Sequence, residues 1–181
     1  MILNIGCGGR PGDQDVDYGD VRVDIIPFPN VTHVLDAHEL PKEWTNMFDL
    51  VVCRITLEHL DSPVKALSHM ARVVKDDGEV EIVAPNVFHW RRILRNLRPN
   101  IDKWNLDAEL PSHKQAWDLV EMRNLATQVG LIIVERHYLD HIPGKLPAKR
   151  LYEKLIEFFA PDMLKKTEVV FRLKRRYPHG T

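Results

Sequence analysis

Met1-Ile-Leu-Asn-Ile-Gly-Cys-Gly-Gly9, followed after a polar loop by Val21-Arg-Val-Asp24, is the stretch from which the rest of the chain is read. An apolar run that stops at a glycine cluster predicts a buried strand feeding a tight turn, where missing Cβ atoms let backbone N–H groups approach a ligand. A second short strand ending on a carboxylate supplies an acceptor where a ribose diol is held in nucleotide-binding α/β folds. Together they imply a nucleoside-containing ligand. A dinucleotide fingerprint is excluded: counted from Gly6 and Gly8, it needs a third glycine where this chain has Pro11.

The chain has 181 residues, enough for one domain with a sizeable core, and the expectation is a single domain over 1–181. Hydrophobic content of 44% with 28% charged residues excludes a disordered chain. A net charge of -1 gives weak overall attraction to nucleic acid or an anionic membrane. Two cysteines, Cys7 and Cys53, draw no disulfide framework and read as reduced thiols. The start lacks the basic lead of a signal peptide, and no apolar run reaches membrane-spanning length, so a cytoplasmic protein without a membrane span is expected.

Outward from the glycine turn, Arg10 to Asp20 holds one proline, two glycines and four aspartates, so the first crossover helix is expected to be missing or reduced to a turn. Asp13, Asp15 and Asp17 alternate as calcium ligands do. An EF-hand, however, needs glycine and glutamate where Tyr18 and Asp24 stand, and no metal is expected. Val31 to Asp36 alternates as a third strand, and Phe48-Asp-Leu-Val-Val-Cys53 is apolar enough for a parallel strand covered on both faces. Ser62 and Pro63 start a helix carrying Val64, Leu67, Met70, Ala71 and Val74, which closes at Lys75-Asp-Asp-Gly78. Glu79 to Pro85 is a fifth strand.

Asn4-Ile-Gly-Cys-Gly-Gly9, Asp36-Ala-His-Glu-Leu-Pro41 and the passage Phe48-Asp-Leu-Val-Val, Leu57-Glu-His-Leu, Ala71-Arg-Val-Val-Lys-Asp-Asp-Gly, then a strand ending Pro85-Asn86, occur in this order. In that combination the chain resembles class I S-adenosylmethionine-dependent methyltransferases, of the type 11 kind, over nearly its whole length. The resemblance implies an α/β Rossmann-like three-layer sandwich with a mostly parallel seven-stranded sheet and an antiparallel last strand. It implies S-adenosylmethionine as cofactor, with Gly6, Cys7 and Gly8 at the methionine part, Asp24 at the ribose, Asp36 and Ala37 at the adenine, and Ile25 also on the cofactor side. Asn4 and Arg54 are assigned to the cofactor side as well. On spacing alone Asp36 is equally a turn cap. The resemblance puts Ala37 and His38 on either side of the purine, while for His38 an exposed loop is the favoured expectation.

The remainder is read from its patterns. Val87 to Arg98 is a candidate helix with arginines on one side. A helix is expected from Ser112 through Gly130, followed by a strand to Val134 and a polar connection from Arg136. Leu151 to Phe159 reads as an amphipathic helix and Thr167 to Lys174 as the last strand, with 136–166 as a substrate-side insertion. Methyl transfer to a hydroxyl or amine needs a base near the ends of strands four and five. Glu58, His59 and His89 are the candidates there: imidazole titrates near neutral pH, while a structural role for His59 stays open. His89 and His113 are candidate substrate contacts. The acceptor class is read as a small molecule or glycan-like metabolite, and nucleic acid is disfavoured by the balanced charge. A non-catalytic scaffold or partner-subunit role, with a homodimer or partner chain, is the alternative.

Overall fold

The computed structural model describes residues 1–8, 17–97, 114–140 and 158–177. Strands β1 (Ile2–Ile5), β2 (Val21–Asp24), β3 (His33–Val34), β4 (Phe48–Arg54), β5 (Val74–Pro85), β6 (Leu131–Leu139) and β7 (Glu168–Arg175) form a seven-stranded sheet of order β3-β2-β1-β4-β5-β7-β6. Strands β1 to β5 pair in parallel, while β7 runs antiparallel to both β5 and β6. This is the expected Rossmann-like arrangement. The chain steps from β1 outward to β2 and β3, then returns to the other side of β1 with β4. The carboxyl ends of β1 and β4 therefore flank the point where strand order reverses, where open α/β sheets hold their ligands.

The central strands are apolar because both faces are covered. Leu3, Ile5, Val51, Val52 and Cys53 are buried, with helix α1 (Pro63–Val73) packed on one side. This helix starts where the Ser62 hydroxyl accepts the Lys65 amide at 3.4 Å and Pro63 takes the first turn, whose N–H groups have no helical partner anyway. Ala66, Leu67, Met70 and Val73 turn inward against β4 and β5. Full burial of a side chain such as Leu67 or Met70 stabilises by roughly 1.5–3 kcal/mol. Further helices are α2 (Trp90–Asn96), α3 (Leu119–Gln128) and the single turn α4 (Asp162–Lys165). The Asp118 carboxylate caps α3 by accepting the amides of Val120 and Glu121, and the Glu121 carboxylate accepts the Asp118 amide in return.

Several expected boundaries move. The helix read through Val74 to Gly78 ends at Val73; Val74 opens β5, buried opposite Phe48, and Val64 faces outward. Gly78 is a strand residue rather than a helix stop. A Cβ there would lie 2.8 Å from the Asp49 carbonyl, and Lys75–Gly78 bulge opposite Asp49 between the Phe48–Val74 and Leu50–Glu79 pairs. The third strand shrinks to His33–Val34, both exposed at the sheet edge. The helix expected from Ser112 begins at Leu119, and its Val120 is exposed. β6 continues through Arg136 to Leu139, because β7 pairs with it that far.

Residues 9–16, and with them Asp13 and Asp15, lie outside the described residues, as do Arg98 and His113. Most of the helix expected over 151–159 is outside too; its end, Phe158 and Phe159, is helical and exposed. Among the described residues no helix is long and apolar enough to cross a membrane.

Candidate active site

A cavity of about 560 Å³ opens at the carboxyl ends of β1, β2 and β4, a size suited to a nucleoside-containing ligand. Its floor is the turn after β1. Gly6 has φ +72, and a Cβ there would sit 2.0 Å from Thr56 Oγ1, so the turn requires glycine on two counts. The Gly6 amide donates to the Val23 carbonyl at 2.8 Å, which ties the turn to the end of β2. Gly8 does not line the cavity; its amide donates to Asp24 Oδ2 at 2.8 Å and it packs closely on Phe28. Ile26 donates its amide to Asp24 Oδ1 at 2.9 Å. Both oxygens of the Asp24 carboxylate are thereby held at the cavity wall.

The second wall follows β3. Asp36, Ala37 and His38 line it, with Asp36 exposed to the cavity and Ala37 buried beneath. Asp36 Oδ1 accepts the His38 amide at 2.8 Å and is 2.6 Å from His38 Nδ1. These bonds, the amide foremost, hold the Asp36 carboxyl below the usual carboxylate range. His38 is therefore not the free loop residue expected from sequence: its side chain is 15% exposed and its Nε2 accepts the Ser62 amide at 3.3 Å.

The third wall is the turn after β4. Ile55 has φ 44, a left-handed conformation that a β-branched residue adopts only under strain, and it swings Thr56 into the cavity. The 3-10 turn Leu57–His59 then presents His59 to the cavity and turns Glu58 inward. Glu58 is fully buried, and neither carboxylate oxygen has a hydrogen-bond partner among the described residues. Burial pushes its pKa up. Leu60, Asp61, Ser62 and Lys65 complete the rim. The sequence reading had not assigned them to the site; their only local signal is their place between a strand end and a capped helix.

Gly6, Asp24, Ile25, Asp36, Ala37 and His59 thus meet around one cavity, whereas Asn4, Cys7, Gly8, Arg54, Glu58 and His89 are not among its lining residues. Asn4 is buried and donates its side-chain amide to the Tyr18 carbonyl at 3.1 Å. Cys7 is buried, its pKa raised to about 11 by burial and by the Asp24 charge, so it stays a thiol. Arg54 lies 3.7 Å from Glu81. His89 follows β5, where burial and the Arg91 charge lower its pKa. Asn86, which closes the Pro-Asn motif, is buried and donates to the carbonyls of Met163 and Lys166, both at 2.7 Å, so it braces the approach to β7.

The match to a family model described as a methyltransferase domain spans residues 15–136, and the chain belongs to that family. A search of curated proteins finds no match to it. Among solved structures, a SAM-dependent methyltransferase of Thermotoga maritima is similar at 18% identity and TM-score 0.63, covering 96% of this chain and 81% of the other. The 1,6-didemethyltoxoflavin-N1-methyltransferase of Burkholderia thailandensis, solved with 1,6-didemethyltoxoflavin and S-adenosylhomocysteine, is similar at 14% identity and TM-score 0.58, covering 97% and 71%. A chain of the complex between the Haloferax volcanii Trm112 methyltransferase activator and the putative methyltransferase is similar at 14% identity and TM-score 0.60, covering 98% and 82%. At such identities the likeness is one of fold.

Proposed function

We propose that this chain binds S-adenosylmethionine in the cavity between β1, β2 and β4 and transfers its methyl group to a small-molecule acceptor. The observation that carries the reading is the convergence of Gly6, Asp24 and Asp36 on one cavity at the point of strand-order reversal. Asp24, with each oxygen already taking one backbone amide, keeps its remaining lone pairs for the two ribose hydroxyls. Asp36 receives the exocyclic amine of adenine. Gly6 gives the methionine end a floor without a side chain.

When bound, the cofactor supplies an electrophilic methyl carbon, so the protein's task is mainly alignment and exclusion of water. His59, on the cavity wall, is placed to take the proton of a hydroxyl or amine acceptor as the acceptor's bond to the methyl carbon forms and the bond from that carbon to the sulfonium sulfur breaks, releasing the thioether. Glu58 adjoins His59 from the core side. The acceptor is read on the side of β4 and β5, with His89, which follows β5, as a candidate contact; His113, outside the described residues, is a separate candidate. Nucleic acid is disfavoured as acceptor because the basic carboxyl-terminal strand is occupied internally: Arg172 pairs with Glu81 and Glu135, Lys174 with Glu79 and Arg175 with Asp76.

Thermal unfolding with S-adenosylmethionine, S-adenosylhomocysteine or NAD tests the reading. A ligand at one hundred times its dissociation constant adds roughly 2.7 kcal/mol, a shift of about 5–11 °C for a chain of this length. Stabilisation by the two S-adenosyl compounds and not by NAD, lost in Asp24→Ala, is expected. No shift with either S-adenosyl compound overturns it.

A further inference from the structure

Asp24 and Asp36 face the same cavity, but they are held differently. Asp24 has an amide on each oxygen. Asp36 has both of its donors on Oδ1, from the His38 amide and the His38 ring, and Oδ2 accepts nothing among the described residues. The ring is itself tied down: Nε2 accepts the amide of Ser62, the capping residue of α1. With Nε2 acting as acceptor, the ring proton resides on Nδ1 and is donated to Asp36. A relay therefore runs from the start of α1 through the imidazole to one carboxylate oxygen, spanning residues far apart in sequence.

Resting on the proposed adenine site, we propose that His38 is a positioning residue that sets base specificity, by orienting Asp36 so that Oδ2 is presented to an exocyclic amine. An ionised carboxylate oxygen only accepts, so it welcomes the amine of adenine and repels the oxo group that replaces it in hypoxanthine. The Asp36 side chain is 45% exposed. Without the imidazole it is free to turn into water, and the preference between the two bases is lost with its orientation. Lys65 and Glu39 pair at 3.4 Å on the same rim, and neither contacts the Asp36 carboxylate.

The experiment is calorimetric titration of S-adenosylhomocysteine and S-inosylhomocysteine into the wild type and into His38→Ala, His38→Asn and His38→Gln. The wild type is expected to prefer the adenosyl compound by about 10- to 100-fold, the range of one hydrogen bond to a charged group. In His38→Ala the ratio should fall toward one through weaker adenosyl binding, with inosyl binding little changed. His38→Asn, whose side-chain amide can donate from near the Nδ1 position, should restore part of the ratio; His38→Gln, which reaches Ser62 instead, should not. Equal weakening of both ligands, an unchanged ratio in His38→Ala and His38→Gln, or a wild type without preference overturns the assignment. If His38→Ala does not fold, the contrast between Asn and Gln decides. Failure of the wild type to bind S-adenosylhomocysteine at all overturns the cofactor reading as well, which separates the two failures.

Discussion

The two ends of the sheet are built on different physics. Around β1, β2 and β4 the structure depends on backbone conformation: a left-handed Gly6, a strained Ile55 and carboxylates held by backbone amides. Around β5, β7 and β6 it depends on apolar burial beneath a lattice of ion pairs. Val169, Val170, Phe171 and Leu173 are buried, while Arg172, Lys174 and Arg175 each meet an acid on a neighbouring strand. The contrast teaches where single-atom changes matter. A cavity wall made of turns has few compensating contacts, whereas half-exposed ion pairs each contribute little because water competes for both charges.

The largest effect is expected at Gly6. Replacement by alanine puts a methyl group 2.0 Å from Thr56 Oγ1 at a φ of +72; a loss of about 2–4 kcal/mol in denaturant unfolding follows from the clash and the left-handed backbone together. A loss below about 0.5 kcal/mol would mean that the turn relaxes freely, and the contrast would blur.

Next is Asp24→Ala, which leaves the Gly8 and Ile26 amides without their acceptor. It should cost about 1–2 kcal/mol of stability and abolish measurable S-adenosylhomocysteine binding by calorimetry. Binding retained at wild-type strength would remove Asp24 from the site.

Glu58 sharpens the comparison through pH. Its folded pKa is raised by burial, so the folded state binds more protons than the unfolded one above the ordinary glutamate range. Stability from this group is fully present below the unfolded pKa of about 4.3 and is lost as pH rises through the folded value. Glu58→Gln removes the ionisation, so the melting temperature of the variant minus that of the wild type should climb as pH rises from 4 to 8. A flat difference would show that Glu58 does not carry the effect.

The smallest effect is expected at the other end. Lys174→Ala breaks a half-exposed pair of 3.1 Å with Glu79 and should cost about 0.2–1 kcal/mol, less at high salt. A loss as large as that of Gly6→Ala would invert the comparison.

Much of this architecture was legible because its signals are local. The glycine turn, the carboxylates that end β2 and follow β3, the Ser62-Pro63 helix start and the alternating last strand each act within a few residues. Gly78 misled because a glycine that ends a helix and one that lets two strands approach have the same sequence appearance. Val74 misled because an inward valine at helical spacing is also the first residue of a buried strand.

The residues that complete the candidate site were not legible for a different reason. His38 acquires its role from Ser62, and Thr56 from Gly6. Asn86 acquires its own from Met163 and Lys166, and Glu58 from a core that closes over it. Propensity, capping and hydrophobic alternation are short-range properties of a chain, and they specified the strand-and-helix order and the family. Hydrogen-bond partners, buried charge and the direction a carboxylate faces depend on which distant segments the sheet brings together, and only the folded chain decides them.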